Sequence, residues 1–169
     1  MKFSYVFSLS LAIGIGSLIL GLLLSNPVDT NPDLNLDFSQ IFLTNSKIHI
    51  DLLINSIISL GIGSILFICY QFFIVGILVG GASQTVGIYS ALSFFWIHGV
   101  IELLAAIIVA SIIPYVYINL FLLIVKHPSK LTNLSTFFKF ISILIFVNFS
   151  LVFLAALLEC YVAPLFVHI

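Results

Sequence analysis

An all-α bundle of about five membrane-spanning helices is the fold class this sequence predicts, and three observations predict it. Of its 169 residues 62% are hydrophobic and only 7% charged, whereas soluble domains carry about a quarter charged residues; mean hydropathy is +1.34. Apolar runs recur at lengths near the roughly 20 residues that a helix needs to cross a hydrocarbon core of about 30 Å. Short polar stretches rich in Pro, Asn and Asp separate the first of these runs from the rest. Lipid is therefore the expected solvent, and residues 1–169 read as a single membrane domain with no soluble part.

Met1 to Leu24 starts with Lys2 and continues apolar, and Ser25-Asn26-Pro27 offers neither an Ala-x-Ala cleavage site nor a lipobox cysteine. It reads as an uncleaved first span over about 4–24. Ala12 and Gly16, like Ser17 and Gly21, are small residues four apart, a spacing that lets another helix backbone come close. Asn26 to Gln40, with Pro27, Pro32, Asp29, Asp33 and Asp37, reads as a polar loop. Ile41 to Ser46 then lies in the interface ahead of a second span over about 48–69, where Ser59 and Gly63 again suit close packing. Tyr70-Gln71 reads as a tight connection into a third span over about 72–89, which contains the GxxxG of Gly76 and Gly80. Ser90 to Val125 is too long for one simple span, and Pro114 interrupts it. A crossing over about 92–113 with a kinked continuation to 125 is expected, and a re-entrant piece stays open as an alternative. A basic loop with Lys126, His127, Lys130 and Lys139 precedes a fifth span over about 140–164.

Charge narrows both orientation and function. The positive-inside rule puts the amino terminus, Lys126, Lys130 and Lys139 in the cytoplasm, leaving Lys47, the acidic Asp29–Asp37 loop and the carboxyl terminus outside. All basic residues are lysines and net charge is −1, which argues against a nucleic-acid partner. Without arginine there is no bidentate clamp for phosphate or carboxylate, so any ATP hydrolysis belongs to a partner. Cys69 and Cys160 read as small packed hydrophobes.

Polar and ionisable groups inside spans are functional candidates by default. Here they are His98 and Glu102 in the fourth span, Glu159 in the fifth, and Asn45, His49 and Asp51 at the start of the second. The alternating topology brings all of them to one outer depth, and His98 and Glu102, four apart, share a helix face. Three uses remain open: a buried hydrogen-bond network that fixes helix packing, a path for protons, ions or a hydrophobic peptide, and metal-dependent or acid–base catalysis. Catalysis ranks last, because His98-Gly99-Val100-Ile101-Glu102 is not HExxH and no GxSxG, Walker A or CxxC occurs. Neither a metal nor a cofactor is implied.

Phe42-Leu43-Thr44-Asn45, Gly61 and Gly63, Phe73-x-x-Gly76, His98-Gly99-Val100-Ile101-Glu102 and Ala155-Ala156-x-x-Glu159-x-x-Val162-Ala163-Pro164 together resemble the stage II sporulation protein M family. The resemblance covers roughly Ile41 to Leu165 and departs at Gln71 and Leu104. It implies a multi-spanning bacterial membrane protein with no established enzymatic activity. Such a protein scaffolds cell-wall hydrolases or, like short relatives in circular-bacteriocin gene clusters, stands beside ATP-driven exporters in secretion or immunity. The partners it implies are other membrane proteins within the lipid bilayer; homo-oligomers remain open.

Overall fold

The computed structural model describes residues 2–27, 37–126, 134–162 and 164. Its helices are α1 (Phe3–Leu23), α2 (Phe38–Ile58), α3 (Ile62–Val86), α4 (Ile88–Lys126) and α5 (Leu134–Tyr161), with no strand among the described residues. In α1, α3, α5 and the His98–Leu122 part of α4 the chain is long and apolar enough to cross a membrane. In α2 it is not, because Asn45, Lys47, His49, Asp51 and Asn55 dilute its apolar residues.

Contacts between the ends give the helix directions. Gly21 of α1 meets Gly76 of α3, and Ser25 just beyond α1 meets Gly80, so α1 and α3 run parallel. Asn45 of α2 meets Glu102 of α4, and the Tyr117 hydroxyl donates to the Ile57 carbonyl at 2.8 Å, so α2 and α4 run parallel as well. Asn148 reaches Ala105 while the Tyr115 ring lies 5.7 Å from Phe137, which sets α5 antiparallel to α4. Phe3 stands edge-on to Tyr115 and Phe140 at one end of the bundle. Phe38 meets Phe153 and Tyr161 at the other. The start of α1 and the end of α5 therefore lie at opposite ends, and α2 runs the depth of the bundle despite its polarity.

Several boundaries differ from the sequence reading. Tyr70 and Gln71 lie inside α3, and the α2–α3 reversal falls at Ser59–Gly61 instead. There Leu60 (φ 54°) and Gly61 (φ 91°) are left-handed, and the Gly61 amide donates to the Ser56 carbonyl at 2.8 Å, closing the last turn of α2. Asp37 caps α2 by accepting from the Ser39 amide at 2.9 Å, so the helix starts ten residues ahead of the expected second span. The expected third span ends early, at Val86, where Gly87 (φ 85°) breaks the chain before α4. Helix α4 continues through Pro114, which lacks the N–H that would bond back to Ala110, and Lys139 lies within α5 rather than in a loop. Asp29, Asp33, His127, Lys130 and His168 lie outside the described residues.

The core gathers Leu52, Ile68, Phe72, Ile107, Val109 and Ala110 from α2, α3 and α4. In lipid, burial of apolar surface drives little association, so close van der Waals fit carries the packing. A methyl group on Gly21 would overlap the Phe73 carbonyl oxygen, and one on Gly76 would overlap that of Leu18; a methyl on Gly80 would stand 2.8 Å from Ser25 Cβ. Gly63 lies against the last turn of α2, where its amide donates to Ser59 Oγ at 2.7 Å. Gly16 is a correction: it is exposed with nothing within 4 Å, and Gly14, against the Phe72 ring, takes the inward position. A helix turn of 3.6 residues carries Gly14 and Gly21 to one face and Gly16 to another.

Gly61 combines a positive φ with Pro114 Cγ at 3.2 Å from where a β-carbon would stand. Gly61→Ala is expected to cost about 1–2 kcal/mol, since the left-handed conformation alone disfavours a side chain by that much. Denaturation in detergent with wild-type stability would show that the turn relaxes freely.

Candidate functional site

The polar residues are delivered by α2, α4 and α5, with one more from α3. Asn45 Nδ2 donates to Glu102 Oε1, linking α2 to α4. Glu159 on α5 is near enough to act on Glu102 electrostatically. One turn further along α2, His49 is 5% exposed and lies 3.0 Å from Asn148 Oδ1 through its Nδ1. Asn148, 1% exposed, donates its own Nδ2 to the Ala105 carbonyl at 2.7 Å. With that amide nitrogen committed, Oδ1 accepts from His49 Nδ1–H, which leaves Nε2 as the acceptor nitrogen of the ring. Ser64 of α3 donates to Ser56 of α2 at 2.6 Å, a third tie between α2 and its neighbours.

Among the residues singled out in the sequence, Asn45 and Glu102 come together with Glu159 within electrostatic reach, and His49 lies beside them as part of a second tie. His98 is buried one turn before Glu102 on α4, its ring tilted against Phe95 at 6.2 Å. Asp51 is exposed on the far side of α2 and does not join the cluster. Sequence reasoning missed Asn148, the residue that joins α2, α4 and α5. An amide in the middle of an otherwise apolar span is the signal that marks it in the sequence. Gln71, read as a connection, lines the same space.

Between these helices lies a cavity of about 90 Å³ bordered by Asn45, His49, Gln71 and Glu102 and walled by Val75 and Leu103. It has room for a few waters, and falls short of the roughly 300–1,000 Å³ of ordinary ligand pockets. Chemically it can solvate a proton or small ion between an amide, an imidazole and a carboxyl.

The Asn45–Glu102 tie is expected to contribute about 1 kcal/mol, in the range of hydrogen bonds measured between membrane helices. In a double-mutant cycle Asn45→Leu should lose that increment in the wild-type background and little of it in Glu102→Leu. Equal losses in both backgrounds would show that the contact carries no energy.

Apolar helices in alternating directions around a buried polar core make this a polytopic α-helical membrane protein. The model of the stage II sporulation protein M family matches residues 5–164, nearly the whole chain, and the protein belongs to that family. No match was found among curated proteins or among solved structures.

Proposed function

We propose that the chain is a non-enzymatic membrane subunit that scaffolds or assists a bacterial envelope complex, binding other membrane proteins through its helix faces. The observation that carries this reading is the use of its buried polar groups. Asn45, Glu102, His49, Asn148, Ser56 and Ser64 are engaged with other helices, and the space that Asn45, His49 and Glu102 border is too small for a peptide. Such groups hold a polar helix in register inside an apolar bundle. In this reading the amino terminus is cytoplasmic and the carboxyl terminus outside, which agrees with the start of α1 and the end of α5 lying at opposite ends of the bundle. The partners are cell-wall hydrolases or ATP-driven exporter subunits, as family membership suggests. Gentle detergent extraction of the tagged chain from its host, followed by mass spectrometry, tests this. A stoichiometric hydrolase supports the sporulation type of scaffold, an exporter subunit supports secretion or immunity, and a chain that never acquires a partner rejects both.

A second reading, a proton or ion path, is favoured by the position of Glu102 on the cavity within electrostatic reach of Glu159. Proteoliposome flux that disappears in Glu102→Gln would support it, and absence of flux in the wild type would reject an autonomous carrier.

A further inference from the structure

The hydrogen bonds around the cavity leave its polar wall one-sided. Asn45 Nδ2 is spent on Glu102 Oε1, and His49 Nδ1–H on Asn148 Oδ1. What these side chains keep for the cavity that they border is acceptor: Asn45 Oδ1, Glu102 Oε2 as carboxylate, and His49 Nε2. None of these three atoms bonds to another side chain or backbone group among the described residues, and none is sealed away from open space. Gln71 completes the polar wall with an amide that can donate or accept.

Charge points the same way. Glu102 and Glu159 lie in apolar spans within electrostatic reach of each other, and neither is paired with a base among the described residues. The titratable groups around the cavity are His49 on α2, His98 and Glu102 on α4 and Glu159 on α5, while Lys47 and Asp51 of α2 are exposed. From α3 the cavity receives the Gln71 amide. Two bare negative charges at this depth are costly, and a positive guest offsets one of them. A proton suits this wall better than a metal ion. Hard cations gather about six oxygens or more, whereas the side chains here supply one carboxyl, two amides and an imidazole nitrogen, which takes up a proton readily.

We propose that the cavity is a proton-binding site in which Glu102 Oε2 and His49 Nε2 share one proton through water, with Asn148 as the positioning residue that keeps Nε2 bare. In the transfer the O–H bond of the Glu102 carboxyl breaks as its proton passes to a water, and that water yields one of its own protons to Nε2. Carboxyl and imidazole become carboxylate and imidazolium, and total charge is unchanged. Asn148 commits its Nδ2 to the Ala105 carbonyl, so Oδ1 is what it offers His49, and the ring proton is held at Nδ1. The inference rests on the proton-path reading above, whose cavity and carboxyl it takes over, and it names the second carrier.

The test uses the full chain in phosphatidylcholine vesicles with isotope-labelled histidine, where solid-state NMR shows which ring nitrogens carry a proton. The His49 signals are those missing in His49→Gln. Wild type at high pH should carry a proton on Nδ1 alone, and acidification should add one at Nε2. Glu102→Gln, equal in size but unable to take up or return a proton, should weaken proton binding at Nε2 about tenfold or more, as loss of a close opposite charge does. Asn148→Leu should leave His49 as a mixture of tautomers. Nε2 that stays bare wherever the protein is folded, or that binds its proton equally well in wild type and Glu102→Gln, overturns the shared proton. Proton uptake that weakens as sodium replaces choline at constant ionic strength overturns the proton as the guest, because a metal cation then competes for the site. Flux is measured separately: proteoliposomes without flux reject the path, whereas the shared proton stands or falls on the nitrogen signals.

Discussion

Gly76→Val is expected to cost about 3 kcal/mol or more, the upper range for overpacking a tight contact. A β-carbon at position 76 would overlap the Leu18 carbonyl oxygen and stand 3.0 Å from Gly21 Cα, so it meets backbone on every side. Backbone cannot swing away as a side chain can, so α1 and α3 must separate along their shared length. That loses the dispersion contacts on which helix association in lipid rests. Gly16→Val is the matched control: nothing lies within 4 Å of that position, and stability should stay near wild type. Denaturation of both purified variants in detergent makes the comparison. Equal losses would mean that glycine itself, rather than the α1–α3 contact, is what matters.

Asn148→Leu should rank next, at about 2 kcal/mol, within the 1–3 kcal/mol that an unsatisfied buried polar group costs. The change removes the acceptor of His49 Nδ1–H and the donor to the Ala105 carbonyl together, so α5 loses its ties to α2 and α4. His49 is 5% exposed, and its Nδ1–H loses its protein acceptor. His49→Leu in the Asn148→Leu background should therefore recover part of the loss, because an apolar pair leaves nothing unsatisfied. If the double variant loses the full sum of the two single losses, the hydrogen bond seen between these residues contributes no coupling.

These expectations also separate what was readable in the chain from what was not. Asn45, Glu102 and Glu159 were legible as a group because polar residues are rare in apolar runs and alternating spans bring them to similar depth. The structure adds that Asn45 is the hydrogen-bond partner drawn for Glu102. Asn148 was hidden because it stands alone in an apolar run, with no ionisable residue close to it in the chain. The α2–α3 reversal was hidden because Leu60 occupies a left-handed position and the flanking residues remain apolar. A soluble loop advertises itself with polar residues, whereas a turn among membrane helices need not. The same continuity concealed the start of α2, marked by the Asp37 cap, and the passage of α3 through Tyr70 and Gln71.

Sequence by itself determined that the solvent is lipid and that the chain is helical. In hydrocarbon every backbone N–H and C=O must be satisfied within the chain, and so few charged residues permit no other environment. It also marked the GxxxG of Gly76 and Gly80 as a place of close approach. Only the tertiary structure decided that α1 is the helix received there, that Gly14 and Gly21 rather than Gly16 face inward, and that α2 turns Lys47 and Asp51 away from its own bundle. The physical reason is that apolar side chains are equally at home against lipid or protein. Which faces meet depends on steric fit and on polar partners far away in the chain, and neither is written in the order of residues along one helix.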